Sequence, residues 1–304
     1  MNAVLVFPGQ GSQRVGMLDA VPEVEALDRL LDAAEALTGR DLRRLAREGT
    51  PAELADTRVA QPLLYLVGWA WGSVLLDVGV HPVALAGHSL GELAALAVAG
   101  VYSVEAGLEL ICERARFMAD AAAENPGTMA AVLGLDADVV SETLAGTTGV
   151  WVANDNAPGQ VVISGLRDAV AHAADTLVTA GARRVVPLDV AGAFHSPLMQ
   201  SAAVRFAPLL DTAEFHDAVV PVIQNTRPEP ATDAGEIRAA LATQIVSPVR
   251  WTEVMHTFAR YEPVTVIEAG PGSVLRGLAK RVPGLEAVSV EETGVQDLVE
   301  EVLR

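Results

Sequence analysis

The sequence predicts an α/β fold in which a mostly parallel sheet is covered by helices on both faces. Short apolar runs of strand length alternate with longer stretches of helical periodicity, which is the pattern of parallel strands joined by helices. Hydrophobic residues make up 51% of the 304 residues, enough to build a large core. In the middle of the chain the order changes to β-α-β-β-α-β, which predicts an inserted ferredoxin-like subdomain.

The elements before the insert follow from apolar runs and from the positions of proline and glycine. Residues 4–7 form an apolar run that ends at Pro8, and residues 83–86 form a second one, so that both predict buried strands. Helical periodicity predicts helices over residues 23–37, 42–47, 62–76, 90–99 and 104–123. Pro62 is expected in the first turn of its helix, because the N–H group that proline lacks would have no partner there.

The insert is predicted to span residues 128–189, within a larger α/β domain formed by residues 1–127 and 190–304. Its strands are expected at residues 129–133, 150–152, 160–164 and 184–188, and its helices at residues 137–144 and 166–180. The α/β alternation then resumes with a strand over residues 264–268 and a helix over residues 273–281.

Charge and cysteine content exclude several classes of function. The chain has 39 acidic and 21 basic side chains, so its net charge is −18, and such a surface repels nucleic-acid phosphates. The apolar stretch over residues 59–76 is interrupted near its start and too short for a membrane span. The single cysteine, Cys112, suits a reducing cytosol. We therefore expect a cytoplasmic protein with no nucleic-acid or membrane partner.

The pentapeptide Gly87-His88-Ser89-Leu90-Gly91 has the pattern G-x-S-x-G between a predicted strand and a predicted helix. This is the context of a nucleophile elbow, in which a sharp turn lifts the serine hydroxyl above the edge of the sheet. The helix that follows offers free N–H groups and a positive dipole end for a developing oxyanion. The alternative is a glycine-bracketed turn in which Ser89 only caps the helix.

A serine nucleophile needs a base, and His195 is the best placed of the six histidines. It lies in a loop over residues 192–197 that leads into a helix expected near Pro197, and a helix N-terminus favours neutral imidazole. The alternative is a histidine that only caps this helix. No acid between Ser89 and His195 has a distinctive setting, so a backbone carbonyl group is a possible partner for the imidazole ring.

Arg114 lies on the predicted helix over residues 104–123. Its guanidinium group is suited to bind a substrate carboxylate through two parallel hydrogen bonds. Taken alone, however, it is better interpreted as a surface arginine that pairs with a nearby acid such as Glu109 or Glu113. The histidines and aspartates are scattered without the spacing of metal ligands, so neither a metal nor a permanently bound cofactor is expected.

Seven motifs in order give the chain a recognisable pattern: residues 7–13, 87–92, 114–118, 153–165, 192–197, 247–251 and 268–272. Together they resemble the malonyl-CoA:acyl carrier protein transacylase family, the discrete relatives of polyketide synthase acyltransferase domains. The resemblance covers nearly the whole chain. It implies an α/β-hydrolase-like domain with a ferredoxin-like insert, and transfer of a malonyl group from malonyl-CoA to the phosphopantetheine thiol of an acyl carrier protein.

The resemblance also implies roles for individual residues. Ser89 would be the acylated nucleophile and His195 its base, while Arg114 would bind the free malonyl carboxylate. Backbone N–H groups of Gln10 and Leu90 would form the oxyanion hole. Three further residues complete the expected site: the carbonyl group of Gln244 to orient His195, Asn154 to line the pocket, and Phe194 to favour a small, unbranched acyl group.

The chain departs from many relatives at two points. Leu93 stands where an aromatic residue is common, and residues 155–157 differ from the usual uncharged residue followed by Asn-Ser. Because acyl carrier proteins are typically acidic, we also expect a local basic patch at the pocket mouth; its candidates are Arg183, Arg184, Arg276, Lys280 and Arg281. Ordinary surface ion pairs are the alternative for these residues.

Three other functions stay open at this point. A serine esterase or thioesterase would share the elbow but would leave Arg114 without a role. A transacylase subunit of a malonate decarboxylase would share much of the motif set. A non-catalytic docking subunit would keep its function when Ser89 is replaced by alanine.

Overall fold

The computed structural model describes residues 2–302. Within this range it contains nine strands: β1 (Asn2–Phe7), β2 (Pro82–Gly87), β3 (Thr128–Leu133), β4 (Val150–Ala157), β5 (Gln160–Gly165), β6 (Arg184–Pro187), β7 (Val249–Arg250), β8 (Val264–Glu268) and β9 (Leu285–Ser289). They form two sheets, one of four parallel strands and one of five mostly antiparallel strands.

The helices of the same range fall before, within and after the insert. Those of the first part are α1 (Leu27–Thr38), α2 (Leu42–Glu48), α3 (Pro51–Ala55), α4 (Thr57–Asp77), α5 (Gly91–Val98) and α6 (Val104–Glu124). The insert contributes α7 (Ala137–Thr143) and α8 (Arg167–Thr179). The last part has a 3-10 turn (Pro197–Met199) and α9 (Gln200–Thr212), α10 (Ala234–Gln244), α11 (Trp251–Ala259), α12 (Val274–Ala279), α13 (Val290–Thr293) and α14 (Val295–Val302).

The larger sheet is parallel, with the strand order β2-β1-β8-β9, and both its faces are buried. Strand β1 lies at its centre, and its side chains alternate between two cores. Leu5 and Phe7 join the core formed with α4, α5 and α6, whereas Val4 and Val6 join the core formed with α11 and α12. The predicted α/β class with a parallel sheet covered on both faces is therefore confirmed.

Helix α4 begins earlier than the sequence analysis predicted. It starts at Thr57 rather than at Pro62, because the Asp56 side chain accepts a hydrogen bond from the Arg58 N–H and caps the helix there. Pro62 therefore lies inside the helix. By length and composition α4 is able to cross a membrane, but 78% of its most apolar window is buried inside the fold, as expected for a core helix.

The second sheet has the strand order β6-β3-β5-β4-β7. Its first four strands are antiparallel and come from the predicted insert in the β-α-β-β-α-β order, which confirms the ferredoxin-like element of the fold class. Strand β7 comes from the C-terminal part and pairs with β4 in parallel. Strand β4 runs to Ala157, five residues beyond the predicted end. The division of the chain at residues 128 and 189 stays a prediction.

Some elements before and after the insert differ from the prediction. Helix α1 begins at Leu27 instead of residue 23, because residues 24–27 form a turn in which the Leu27 N–H donates to the Val24 carbonyl. Helix α12 covers only Val274–Ala279 of the predicted 273–281. The sequence analysis did not identify β9, an edge strand in which Glu286 is exposed and the apolar pattern is short.

Candidate active site

Ser89 lies at the turn between β2 and α5, as the G-x-S-x-G motif predicts. Its backbone φ is 52°, in the left-handed region that non-glycine residues adopt only when the surroundings impose it. The two glycines of the motif make the turn possible. A Cβ atom on Gly87 would lie 1.9 Å from the carbonyl carbon of Gly91, and one on Gly91 would lie 2.1 Å from the Phe7 carbonyl oxygen.

The hydroxyl group of Ser89 contacts the imidazole ring of His195. The distance from Ser89 Oγ to His195 Nε2 is 2.7 Å, and His195 is buried. The His195 Nδ1 lies 3.1 Å from the backbone carbonyl oxygens of both Gln244 and Ser247. Because both groups only accept, Nδ1 carries the proton, and Nε2 is left as an acceptor for the serine hydroxyl. Two backbone carbonyl groups thus take the place that an acidic side chain has in a catalytic triad.

Burial keeps the imidazole of His195 neutral. Its pKa is lowered from 6.5 to about 3, first by burial and then by the positive charge of Arg114 and by His88. The hydrogen bonds to the Gln244 and Ser247 carbonyl groups oppose this shift but do not reverse it. The ring is therefore able to accept a proton at any pH near neutrality.

Arg114 is fully buried beside Ser89, which excludes the interpretation of a surface arginine. Its Nη1 donates to Gln61 Oε1 at 2.7 Å, and its Nη2 donates to Gln244 Oε1 at 2.8 Å. The same Nη2 lies 3.4 Å from Ser89 Oγ, and the Nε–H has no partner among residues 2–302. Burial lowers the pKa of Arg114 to about 10, partly offset by the negative charge of Glu92, so the group stays a cation near neutral pH.

Gln10 and Leu90, whose backbone N–H groups are the predicted oxyanion hole, both line the cavity. Neither of these N–H groups donates a hydrogen bond to another group among the described residues. The peptide that carries the Leu90 N–H is held in place, because the Ser89 carbonyl oxygen accepts from Gln244 Nε2 at 3.0 Å. In a planar trans peptide the N–H points opposite to the carbonyl group, so this bond also fixes the direction of the Leu90 N–H.

Asn154 and Phe194 both line the cavity that contains Ser89 and His195. Asn154 is carried by the unpredicted extension of β4, and its Oδ1 has no partner within residues 2–302. Its Nδ2 lies 3.4 Å from His88 Nε2, which is bound more closely by Asn156 Oδ1 at 2.8 Å. His88 packs edge-on against Trp251 and does not contact Ser89 as a base.

The cavity has a volume of about 320 Å³ and lies between the two sheets. Most of its exposed surface is apolar, from residues that include Met118, Met129, Val162, Phe194, Leu275 and Leu278, and polar residues such as Gln10, Gln61 and Asn154 complete the lining. Arg114 does not line it; the guanidinium lies behind Gln61 and Ser89, which do. A size near the lower end of the usual range for ligand sites suits a short acyl group with a narrow thioester arm.

Sequence reasoning missed three residues that hold the site together. Asn225 and Glu92 are buried beneath the turn, and Gln61 is bonded to Arg114. Two of them carry a signal in the sequence, because Gln61 interrupts an otherwise apolar stretch and Glu92 stands in an almost entirely apolar helix. Burial raises the pKa of Glu92, against the lowering effect of its hydrogen bonds and of Arg114. Asn225 has no such signal.

The five basic residues of the predicted patch differ in the partners that their side chains contact. Arg276 pairs with Glu292. Arg281 donates instead to the neutral Gln160 Oε1 at 2.6 Å and to the Pro158 carbonyl at 2.5 Å, which joins the end of α12 to the β4–β5 hairpin. Within residues 2–302 no carboxylate lies within 4.0 Å of the basic groups of Arg281, Arg183, Arg184 or Lys280. Nor does this range bring three potential metal-binding side chains together.

Comparisons with known proteins agree with this geometry. The family model described as acyl transferase domain matches residues 4–294. Malonyl CoA-acyl carrier protein transacylase of Synechocystis sp. is 40% identical over 282 residues, 92% of this chain and 94% of that protein. The enzyme of the same name from Bacillus subtilis is 38% identical over 97% of both chains.

The chain is also similar to solved structures of malonyl-transferring enzymes. An acyl carrier protein S-malonyltransferase from Vibrio cholerae is 38% identical and superposes with a TM-score of 0.91, over 98% of this chain and all of the other. A malonyl-transacylase in complex with its type II PKS acyl-carrier protein is 35% identical, with a TM-score of 0.90 over 98% of this chain and all of the other. The chain therefore belongs to the acyl transferase family.

Proposed function

We propose that this chain transfers a malonyl group from malonyl-CoA to the phosphopantetheine thiol of an acyl carrier protein, through an ester on Ser89. One observation carries the proposal: the Ser89 hydroxyl lies 2.7 Å from a neutral imidazole and 3.4 Å from a buried guanidinium. A hydroxyl next to a base suits acyl transfer, and a buried cation beside it suits an acyl group that ends in a carboxylate. The relatives named above carry this activity in their names.

In the first half-reaction Ser89 Oγ attacks the thioester carbonyl carbon while His195 Nε2 takes the hydroxyl proton. The carbonyl oxygen becomes an oxyanion, which the free N–H groups of Gln10 and Leu90 would stabilise. When the tetrahedral intermediate collapses, the C–S bond breaks and His195 returns the proton to the sulfur of coenzyme A. The products are free coenzyme A and malonyl-Ser89.

The second half-reaction reverses these roles. His195 takes the proton of the carrier's phosphopantetheine thiol, and the sulfur attacks the ester carbonyl carbon. The C–O bond to Ser89 then breaks, and the proton passes from His195 to Ser89 Oγ. The apolar, narrow lining around the ester would limit attack by water, which distinguishes a transferase from a thioesterase.

Arg114 would select acyl groups that carry a second carboxylate. The guanidinium is held in place by Gln61 and Gln244, and its Nε–H has no partner among residues 2–302. A malonyl carboxylate would supply the counter-charge that this buried cation otherwise finds only in Glu92. Phe194 and Asn154 would restrict the size of the acyl group and contact the thioester arm.

The carrier protein would dock beside the mouth of the cavity, in the cytoplasm. Arg183, Arg184, Lys280 and Arg281 provide basic groups without a carboxylate partner among residues 2–302. Arg281 joins the end of α12 to the β4–β5 hairpin of the insert, Lys280 precedes it in the chain, and α12 also lines the cavity through Leu275 and Leu278. We expect the paired Lys280→Glu and Arg281→Glu substitutions to raise the KM for the carrier more than the KM for malonyl-CoA, and equal effects would remove the patch from the proposal.

A transfer assay tests the function. Purified enzyme, malonyl-CoA and phosphopantetheinylated acyl carrier protein are mixed, and malonyl-carrier and free malonate are separated and quantified. We expect malonyl-carrier as the main product with the natural chain and no transfer with Ser89→Ala. Free malonate as the main product would indicate a thioesterase, and transfer that survives Ser89→Ala would exclude the ester on Ser89.

A further inference from the structure

Asn225 lies beneath the turn that carries Ser89 and is fully buried. Its side chain makes two short hydrogen bonds to this turn. The Oδ1 atom accepts from the Ser89 N–H at 2.7 Å, and the Nδ2 atom donates to the Gly87 carbonyl oxygen at 2.6 Å. A carboxamide offers an acceptor and a donor side by side without carrying a charge, so it satisfies both backbone groups at once.

Asn225 is itself held from both sides. Its backbone N–H donates to Glu92 Oε2 at 2.7 Å, and its carbonyl oxygen accepts from the Arg250 N–H at 3.1 Å. Glu92 belongs to α5, which begins directly after the turn. The bonds therefore form a closed path from Gly87 through Asn225 to Glu92, and the turn is fixed at both of its ends.

These contacts act on the strained part of the backbone. Ser89 has a φ of 52°, which costs energy for a residue with a side chain and persists only where neighbouring groups impose it. The two bonds from Asn225 fix the peptide planes on either side of His88. The bond to Asn225 Oδ1 also occupies the Ser89 N–H. The Leu90 N–H is therefore the first backbone donor after the serine that has no partner within the described residues.

We propose that Asn225 is a positioning residue for acyl transfer. It holds Ser89 in the left-handed conformation in which Oγ meets His195 Nε2, and it leaves the Leu90 N–H available to the oxyanion. This inference rests on the proposed function. Loss of the side chain would slow formation of the acyl ester while the affinity for malonyl-CoA stays nearly the same, because Asn225 touches the nucleophile's backbone and not the substrate cavity.

The test compares Asn225→Leu with Gln224→Met. Gln224 is an adjacent buried amide that also contacts Glu92, at 3.1 Å, but bonds to Ile237 and not to the turn. Acylation by malonyl-CoA is followed in a single turnover by quenching and intact-protein mass spectrometry, normalised to the folded fraction. We expect Asn225→Leu to slow acylation about 10- to 100-fold and Gln224→Met by less than about threefold. The Kd for malonyl-CoA, measured in a Ser89→Ala background, should change by less than about threefold.

Asn225→Asp keeps the experiment decisive if the leucine variant folds poorly. A protonated aspartic acid offers the same acceptor and donor pair as the amide, whereas an ionised one repels the Gly87 carbonyl. We expect the acylation rate, relative to the natural chain, to rise as the pH falls from about 8 to about 5. The natural chain and Asn225→Asp carry the same other charged and titratable groups around the turn, which are Glu92, Arg114, His88 and His195. Their titration therefore affects both rates, and the ratio of the two rates reports on position 225.

Two results would overturn the inference: acylation by Asn225→Leu within about threefold of the natural rate, or equal slowing by Gln224→Met. A rate of Asn225→Asp that falls relative to the natural chain as the pH falls would do the same. If the natural chain itself forms no ester with malonyl-CoA, then the proposed function fails instead, and the role of Asn225 is not what has been refuted.

Discussion

The burial of His195 leads to a prediction about the pH dependence of acylation. An imidazole with an ordinary pKa of about 6.5 is only about 3% neutral at pH 5, so an enzyme that used it as a base would lose about thirtyfold in rate between pH 8 and pH 5. In this protein the pKa of His195 is lowered to about 3, first by burial and then by Arg114 and His88. The base then stays neutral, and the rate should change by less than about twofold over the same range.

The quantity to measure is kcat/KM for acylation by malonyl-CoA, because it reports the ionisation of the free enzyme. It is obtained from the initial rate of ester formation at limiting malonyl-CoA, with stopped samples analysed by mass spectrometry. Glu268 provides a control for this assay. Burial raises its pKa to about 7, so a titration in the measured range could belong to this carboxyl group, and Glu268→Gln removes it.

A flat profile in both the natural chain and Glu268→Gln would agree with the structure. A fall of tenfold or more towards pH 5, with a midpoint near 6.5 and unchanged in Glu268→Gln, would contradict it. That result would mean that His195 is exposed to water in the working enzyme, and that the buried geometry described above is not the reactive one.

Three further predictions concern Arg114, Glu268 and the bound substrate. Arg114→Ala should slow acylation by malonyl-CoA about 10- to 100-fold but not acylation by acetyl-CoA, with Arg114→Lys in between; equal loss for both thioesters would show that Arg114 does not select the carboxylate. The folded-state pKa of Glu268 is raised from 4.5 to about 7, so its contribution to stability is present below 4.5 and lost as the pH rises through 7. Urea unfolding should show the natural chain losing about 3 kcal/mol across that range relative to Glu268→Gln, and parallel curves would be inconsistent with a buried carboxyl group. A malonyl carboxylate would offset the positive charge of Arg114, which helps to lower the pKa of His195. Below pH 5 the single-turnover rate at saturating malonyl-CoA should therefore begin to fall at a higher pH than kcat/KM does; a fall that begins at a lower pH would argue against contact between Arg114 and the carboxylate.

Two of the predicted site residues, Ser89 and His195, stand in local settings that a sequence pattern records. Gly87 and Gly91 permit the sharp turn at Ser89 because a side chain at either position would collide with the backbone, and this requirement is visible as a motif. His195 also stands in a loop just before a helical turn, although its contact with Ser89 joins residues 106 positions apart. For Arg114 the residues alone favoured the surface, and only the family resemblance implied a place in the site.

The parts that the sequence did not reveal depend on long-range contacts. Asn225 meets Ser89 across 136 residues, and nothing near Asn225 indicates where its side chain bonds. The Gln244 side chain is a similar case: its carbonyl group was expected to hold His195, but its amide also bonds to Arg114 and to the Ser89 carbonyl. These partners are set by the packing of α10 and the neighbouring loop against the elbow, which no local pattern records.

The strands and helices divide in the same way into those that a local pattern records and those that it does not. Strand β1 was predicted because both of its faces are buried and its sequence is continuously apolar, whereas β9 was missed because an edge strand alternates with exposed residues. Pro62 was expected to start a helix, but the Asp56 cap moved the start five residues earlier. A capping side chain outweighs the preference of proline for the first turn because the helix gains hydrogen bonds before the proline is reached.

The most direct test of the proposed chemistry is the position of the covalent intermediate. The enzyme is mixed briefly with malonyl-CoA in the absence of carrier protein, quenched in acid, digested and analysed by mass spectrometry. We expect one malonyl group on the peptide that contains Ser89, absent from Ser89→Ala and discharged when phosphopantetheinylated carrier protein is added. A malonyl group on another residue, or transfer to the carrier with no adduct on Ser89, would contradict it.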